Sequence, residues 1–464
     1  MTKTAPVVNR FIKLFSDAFE ALNASVAMAD IEKLSMMVHS TMDRPGRAYH
    51  TSSHLLRMCE GMNPRQVLAT LFHDLVYVQL DGGFPAHADV LLRSVVRPHL
   101  DVMLLRKIPA NDRDTRLCMD LFGFESEQAV PLYGGLNEFL SAVLAVRSLK
   151  PFLPWEELVA VVACIEATVP FRGNNALGVG PTDALYARVQ AHAGRWGLAL
   201  TPADMQRIIH DAVALANVDV DSFADAVCDD FLSNTWMLID ESNAPLRAVG
   251  VYSLTQYRTA LLRMETFLVT VNPGHVFHRF AGQPNESDFA ALCDATRTNL
   301  AFAALYLGAK IATVALVEAL AYATGGDGPV SMFLGDIRSE FGTPATVQDY
   351  LGVLPVARSI DESLMRVLVH GRNKDSSNDL TASPLSAYVY RALGTQGMES
   401  LLADAKRYFK AELSALAFLQ LQDAALVANL AKACARIALS RSLALESLAQ
   451  GMGVPASDPS ASLG

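Results

Sequence analysis

The sequence predicts an all-α protein, and three observations support this fold class. Apolar residues recur at spacings of three and four along most of the chain, as in residues 5–23 and 29–40. Two helix starts are clear, because Asn63-Pro64 and Thr201-Pro202 each place a capping side chain before a proline at the first helical position. Strand signals are scarce, and the short alternation at 247–254 is equally consistent with a loop.

Three helices in the N-terminal half follow from these signals. The helix that begins at Pro64 is expected to run to about Tyr77. The helix that begins at Pro202 carries aliphatic residues at helical spacing and is expected to end near Asp219. A third, strongly apolar helix is predicted from Glu156 to Thr168, before Pro170.

A polar stretch at Asp240–Leu254 predicts the boundary between two helical domains, since 464 residues exceed what one hydrophobic core usually supports. The N-terminal domain is expected over 1–245 and the C-terminal domain over 255–450. Apolar helical patterns in the C-terminal domain cover 286–324, 345–370, 385–395 and 397–450. The small, polar tail at 454–464 is expected to be disordered.

Composition limits the partners that are expected. The formal net charge of −10 argues against a nucleic-acid backbone as the main partner. The six cysteines are far apart and show no zinc-ribbon spacing. The most membrane-like stretch, 299–325, is interrupted by Lys310 and Glu318, and the N-terminus lacks the apolar run of a signal peptide. A cytoplasmic protein that does not bind membranes is therefore predicted.

Two short stretches near the N-terminus carry most of the functional information. The first contains His50 and His54, whose i, i+4 spacing would place them on one face of a helix. The second contains the adjacent pair His73-Asp74. Imidazole and carboxylate ligands suit a catalytic divalent metal better than a structural zinc, which usually takes thiolates. The pattern therefore predicts a metal site that performs chemistry.

These stretches resemble the HD superfamily of metal-dependent phosphohydrolases, which is named after such a His-Asp doublet. Tyr-His-Thr-x-x-His at 49–54 is similar to the Tyr-His-Asn-x-x-His of class I cyclic-nucleotide phosphodiesterases. Together with Phe-His-Asp-x-x-Tyr at 72–77, it looks most like the small bacterial predicted phosphohydrolases. The resemblance covers residues 40–80 well and 160–225 loosely. It implies an HD-type helical bundle in the N-terminal domain.

The resemblance also implies a set of metal ligands. The second histidine of the pair, the doublet and a distal aspartate map to His54, His73, Asp74 and Asp219. Asp221 is the alternative for the distal position. The chain departs from its small bacterial relatives after the doublet, where an Asn-Glu segment followed by Ser-Ala is expected and 81–85 reads Asp-Gly-Gly-Phe-Pro instead.

Three further residues are candidates for the chemistry. By resemblance to the phosphodiesterases, His50 would be the general acid that protonates the leaving oxygen, a role suited to an imidazole. Arg47, expected one turn before it, would clamp a phosphate. Glu166, in an otherwise apolar helix, is expected either to hydrogen-bond a metal-bound water or to face solvent.

The predicted function is hydrolysis of a phosphate ester, with a nucleotide or cyclic nucleotide as the expected small phosphorylated substrate. The predicted cofactor is one or two divalent ions of Mn, Fe, Zn, Ni or Mg. Two alternatives stay open. One is a di-iron oxygenase, which would need an extra ligand such as His87 or His99. The other is a non-catalytic scaffold with a vestigial or regulatory metal site. The C-terminal helices are expected to bury their apolar faces against one another, against the N-terminal domain or against a second subunit, and a homodimer is expected.

Overall fold

The predicted all-α class is confirmed in the computed structural model of the chain. The structure describes residues 5–100, 102–247, 251–336, 344–373, 379 and 382–452. The tail predicted to be disordered, 454–464, lies outside these residues, as does part of the ambiguous alternation at 247–254.

The chain divides into two compact units that are not contiguous in sequence. The first unit comprises residues 1–225 and 271–297, and the second comprises 226–270 and 298–464. The division does not coincide with the single boundary expected at Asp240–Leu254. Residues 226–245 group with the second unit, and 271–297 group with the first. The order of apolar helices along the chain does not show which helix returns to which core.

The first unit is built from helices that are mostly three to five turns long. They are α1 (Val7–Ala21), α2 (Met28–Met42), α3 (Ser52–Met58), α4 (Pro64–His73), α5 (Val78–Asp81), α6 (Asp89–Val95), α7 (Arg113–Phe122), α8 (Leu136–Leu149), α9 (Trp155–Ala167), α10 (Pro181–Trp196) and α11 (Pro202–Asp219). Both predicted start signals form complete capping boxes, Asn63 with Gln66 and Thr201 with Asp204. Helix α9 is buried from Leu158 to Ala167 and packs against α4, α8 and α11.

A small antiparallel sheet in the first unit was not predicted. Its strands are β1 (Val96–His99), β2 (Val102–Leu105) and β3 (Ala129–Pro131), in the order β1-β2-β3. Val96 pairs with Leu105, and Met103 pairs with Val130. Strands of three or four residues are too short to show the alternation on which a sequence prediction depends.

The second unit is also helical, and its later elements differ from the predicted pattern. Its helices are α12 (Cys228–Ser242), α13 (Leu254–Thr270), the part of α14 (Glu286–Ala323) from residue 298 onward, α15 (Val330–Leu334), α16 (Glu362–His370), α17 (Pro384–Phe409), α18 (Ala415–Gln420), α19 (Ala424–Ile437) and α20 (Ser442–Met452). The helix predicted over 345–370 is wrong before Glu362, and the pattern at 397–450 is divided among four helices. Helix α17 kinks at Gly394, whose φ of 68° suits glycine, since a side chain would meet the carbonyl oxygen of Ser359.

Helix α14 is long and apolar enough to cross a membrane by length and composition alone. However, 78% of its most apolar window is buried within the protein, as expected for the central helix of a core. Its two interrupting charges are paired: Lys310 lies 2.5 Å from Asp379, and Glu318 lies 3.1 Å from Arg258. The helix is thus a weak indication of a membrane span.

Candidate metal centre

The first unit brings four predicted metal ligands together from three helices. His54 lies on α3, and His73 is the last residue of α4, followed by Asp74 as its C-cap. Asp219 is the last residue of α11. Because each helix ends or begins at the same place in the core, residues distant in sequence meet there.

The distances within this cluster are short. His54 Nε2 lies 3.2 Å from Asp219 Oδ1, and His73 Nε2 lies 3.5 Å from the same oxygen. On its other side, His73 Nε2 lies 3.0 Å from Asp74 Oδ2. The cluster of His54, His73 and Asp219 could hold a metal ion, and Asp74 borders it.

The hydrogen bonding of His73 makes this arrangement chemically specific. Its Nδ1 lies 2.9 Å from the carbonyl oxygen of Thr70, which can only accept, so Nδ1 carries the proton. In the neutral ring, Nε2 then presents a lone pair to the carboxylates of Asp74 and Asp219. Nε2 and Asp74 Oδ2 are both buried without a hydrogen bond to the residues described. Lone pairs facing one another in the core require a cation between them, either a proton or a metal ion.

The charges in the cluster shift the ionisation of its members. Burial disfavours the charged form of His73, but Asp74 and Asp219 outweigh burial and raise its pKa well above the usual value. Burial likewise opposes ionisation of Asp74, yet the neighbouring histidines hold its pKa well below the usual range. The pKa of Asp219 is lowered in the same way by His54 and His73. Both carboxylates therefore stay ionised, as metal ligands must.

His50 lies beside the cluster, although not on the helix that was predicted. Helix α3 begins only at Ser52, so His50 is in the preceding bend. The i, i+4 argument for one helix face was therefore wrong, but the two rings still lie 5.9 Å apart. His50 Nε2 is 4.0 Å from Asp74 Oδ2, and its side chain is 16% exposed. An imidazole next to the cluster and open to solvent is suitably placed to exchange a proton with a bound ligand.

Arg47 does not occupy the predicted position. Its side chain is 1% exposed and is bonded through Nε and Nη2 to the two carboxylate oxygens of Asp81. Its Nη1 donates to the carbonyl oxygen of Asp74 at 3.0 Å. The phosphate clamp predicted for Arg47 is therefore corrected, since the guanidinium is used to fix the loop that carries Asp74.

Glu166 is fully buried but is not an open carboxylate. Arg172 donates to it at 2.5 Å and Arg188 at 2.7 Å, both to Oε1, and Arg172 also reaches Oε2 at 3.2 Å. A buried carboxylate needs such partners, because desolvation of an unpaired charge is costly. The solvent-facing position predicted for Glu166 is wrong, because its side chain is fully buried, and the two arginines account for the buried carboxylate without a metal-bound water. It links α9 to the Arg172 loop and to α10.

The choice between Asp219 and Asp221 follows from their partners. Both oxygens of Asp221 accept from Nη1 of Arg57, at 2.9 and 2.7 Å, and the pair is about half exposed. Asp219 contacts the two histidines instead. The geometry therefore places Asp219, and not Asp221, in the cluster that could hold a metal ion.

Glu138 is a candidate residue that sequence reasoning missed. It lies on α8, partly buried, and its pKa is raised to about 7, first by burial and then by the charges of Asp74 and Asp219, against the opposing effect of Arg172. The missed signal was Asn137-Glu138 followed by Ser141-Ala142, the Asn-Glu and Ser-Ala pattern expected just after the doublet. In this chain the pattern lies far downstream of the doublet, after strand β3.

Two hydrogen bonds link this segment to the residues that follow the doublet. Asn137 Oδ1 accepts from the backbone N–H of Val78 at 3.1 Å, and Ser141 Oγ accepts from that of Val76 at 3.0 Å. Asn137 and Ser141 therefore contact the residues that directly follow the doublet. A carboxyl group with a pKa near 7 beside a metal site is suited to move protons at neutral pH.

The segment 271–297 contributes to the same region of the first unit. The side-chain amide of Asn217 accepts from the N–H of His278 at 2.7 Å and donates to its carbonyl oxygen at 2.9 Å. His278 is buried, and burial together with Arg172 lowers its pKa to about 4, so the ring is neutral. This two-bond clamp holds the end of α11 two residues before Asp219.

The extra histidines that a di-iron site would need do not join the cluster. His87 and His99 are both exposed, and neither belongs to a potential metal-holding group among the described residues. Tyr49 packs its ring against His50 and His54, with centroids 5.0 and 5.1 Å away.

Comparison with protein-family models, curated proteins and solved structures finds no match to this chain. The interpretation of the site therefore depends on its own geometry.

Proposed function

We propose that the chain is a metal-dependent phosphohydrolase of the HD type. The observation that carries the proposal is the position of His73 Nε2, which lies 3.0 Å from a carboxylate oxygen of Asp74 and 3.5 Å from one of Asp219, with His54 beside them. This donor set of two imidazoles and two carboxylates suits a catalytic divalent ion such as Mn, Fe, Zn, Ni or Mg. When bound, such an ion activates water and polarises a phosphoryl oxygen.

The residues around the ligands supply the remaining steps. His54, His73, Asp74 and Asp219 would hold the ion or a pair of ions. Glu138, with a pKa of about 7, would accept the proton of the attacking water. His50 would deliver a proton to the leaving oxygen, since it borders the cluster and is partly exposed. The expected substrate is a small phosphate ester, with a nucleotide or cyclic nucleotide as the first choice.

The first experiment combines metal analysis with turnover. The full-length protein, purified and loaded with Mn²⁺, should retain the ion through desalting and hydrolyse p-nitrophenyl phosphate or bis-p-nitrophenyl phosphate. Asp219→Asn should lose the ion and with it the activity. Asp221→Asn is the matched control two residues away, and it should keep the ion, because Asp221 contacts Arg57.

Two results would contradict the proposal. A wild-type protein that takes up no divalent ion would remove its basis. A protein in which Asp221→Asn loses the ion while Asp219→Asn keeps it would show that the distal ligand has been assigned wrongly. Each mutant's melting temperature should be measured as well, because a bound ion stabilises the folded state by mass action.

A further inference from the structure

A phosphohydrolase must neutralise the charge of its substrate, and most arginines around the site are committed elsewhere. Arg47 is buried and bonded to Asp81 and to the Asp74 carbonyl oxygen. Arg172 uses Nε, Nη1 and Nη2 on Glu166 and on the carbonyl oxygen of Val169. Arg188 is bonded to Glu166 and the carbonyl oxygen of Leu121. Each of these three guanidinium groups has a structural role, because it bonds to carboxylates and carbonyl oxygens of the protein.

Arg57 differs from them in exposure and in the use of its donors. It lies on α3 three residues after His54, so the two side chains share one face of the helix and are separated by one turn. Its side chain is 45% exposed, and only Nη1 is used, on Asp221. Its Nε and Nη2 donate no hydrogen bond to another residue in the described part of the chain. That edge is the one that binds a phosphate or carboxylate through two parallel hydrogen bonds.

Helix α3 contacts the end of α11 and the residues just after it through two successive pairs of side chains. His54 meets Asp219, and one turn further along Arg57 meets Asp221. Burial lowers the pKa of Arg57, but Asp221 above all, with Tyr49 and Asp219, raises it overall, so the guanidinium lies within electrostatic reach of the metal ligand Asp219. A group bound at His54 and Asp219 would therefore lie about one helical turn from the guanidinium of Arg57.

We propose that Arg57 anchors a phosphoryl group of the substrate through its Nε–Nη2 edge, and that Asp221 orients the guanidinium while competing with the substrate for its charge. This inference rests on the proposed function and assigns a substrate-binding residue to it. An exposed ion pair contributes little to folding, so stability alone does not explain this pair. It predicts opposite effects of removing the two partners.

The test measures binding of inorganic phosphate to the Mn²⁺-loaded full-length protein by isothermal titration calorimetry. Arg57→Gln should raise the Kd for phosphate by about 10- to 100-fold, the usual scale for a lost hydrogen bond to a charged group. Arg57→Lys keeps the charge but not the planar fork, so it should lose less. Asp221→Asn should lower the Kd by about two- to fivefold, since it removes a weak competitor.

Arg93 and Asp89 provide a matched control pair in the same unit. One guanidinium nitrogen of Arg93 also donates to both oxygens of its exposed partner Asp89. Arg93→Gln and Asp89→Asn should leave phosphate binding unchanged. Metal content and melting temperature of every variant show whether a change in Kd reflects the loss of metal or of folding.

The opposite signs distinguish an anchor from a structural ion pair. Equal weakening by Arg57→Gln and Asp221→Asn, or no change in either, would overturn the assignment of Arg57. Hydrolysis of phosphate esters is scored separately. A wild type that binds phosphate through Arg57 but turns over no phosphate ester would contradict the proposed function, and active enzyme with unchanged binding in Arg57→Gln would contradict only this inference.

Discussion

At the scale of single residues, the hydrogen bond from His73 to Thr70 determines the character of the site. It places one proton on Nδ1 and directs Nε2 toward Asp74 and Asp219, where Nε2 can carry a second proton or bind a metal ion. The same ring on an exposed helix could adopt either tautomer and would bind a metal less well, because no hydrogen bond would fix its orientation. Arg47, Arg172 and Arg188 show the reverse case, in which a charged side chain is used for structural support.

His50 should matter for turnover rather than for metal binding. His50→Ala is expected to retain the ion and to lose roughly 10²–10⁴-fold in kcat, as usual when a general acid is removed. The loss should be smaller for a p-nitrophenyl ester, whose leaving group needs no proton, than for an alkyl phosphate. Steady-state kinetics on both substrates, with metal analysis, check this. Equal losses on the two substrates, or loss of the ion, would assign His50 to the ligands or to the fold.

Glu138 should make the metal-free protein less stable as the pH rises. Its pKa is about 7 in the folded state and is close to 4.5 when unperturbed, so between these values the folded state binds more protons than the unfolded state. Stability contributed by this group therefore falls as the pH increases from about 4.5 to 7. Glu138→Gln avoids this cost and should raise the melting temperature at pH 8 by roughly 2–4 °C or more, with little effect at pH 4.

Thermal melts of EDTA-treated protein across this pH range test the prediction for Glu138. Glu60→Gln, at an exposed position of the same unit, is the control and should show no such dependence. Added Mn²⁺ should reduce the difference, because a nearby cation favours the carboxylate. A destabilised Glu138→Gln at pH 8 would mean that the carboxylate is held by partners rather than strained by its neighbours.

At the scale of elements, the site depends on where helices end. Asp74 caps α4, Asp219 closes α11, and Asn217 ties that last turn to the backbone of His278. Helix ends offer unpaired backbone groups and accessible side chains, which makes them natural positions for ligands and clamps. The sheet of β1–β3 lies in the insertion that separates the doublet from Glu138 in sequence.

Removing the hydrogen bonds of Asn217 should loosen Asp219, although Asn217 is not itself a proposed ligand of the ion. Asn217→Ala removes two hydrogen bonds to the backbone of His278, which should cost about 1–3 kcal/mol of stability. The affinity for Mn²⁺ should also fall, since Asp219 is no longer held in place. Asn429→Ala is a suitable control, because within the described part of the chain the Asn429 side chain bonds only to the carbonyl oxygen of Ala425 in its own helix. Unchanged metal affinity in Asn217→Ala would show that α11 positions Asp219 by itself.

At the scale of the whole molecule, the first unit is completed by residues that follow the start of the second. The segment 271–297 belongs to the first unit, and its last residues form the beginning of α14, which continues into the second. A cut near the expected boundary would therefore divide both units. Sequence-based domain boundaries assume contiguity, and this chain does not satisfy that assumption.

A fragment of residues 1–245 should accordingly be poorly soluble and unable to hold the ion firmly. It lacks the His278 backbone that Asn217 clamps, and it exposes the apolar residues of α12, including Phe231, Leu232 and Trp236. Light scattering and Mn²⁺ titration of the fragment, compared with the full-length chain, test this. A monomeric fragment with full activity would mean that 271–297 is dispensable. Sedimentation of the full-length protein tests the predicted homodimer in the same series.

The sequence by itself determined the helical class and the two capped helix starts, and it predicted that His54, His73, Asp74 and Asp219 belong to one site. These features depend on local spacing, and helical periodicity, capping boxes and a His-Asp doublet can be read within a dozen residues.

Only the tertiary structure decided which charged side chains are open to a ligand. Arg47, Glu166 and Asp221 are all candidates in the sequence, yet Arg47 is paired with Asp81, Glu166 with Arg172 and Arg188, and Asp221 with Arg57. Whether a charge is paired depends on which helix ends meet in the core. The two discontinuous units, the sheet and the return of 271–297 have the same origin, because long-range packing, not local propensity, selects them.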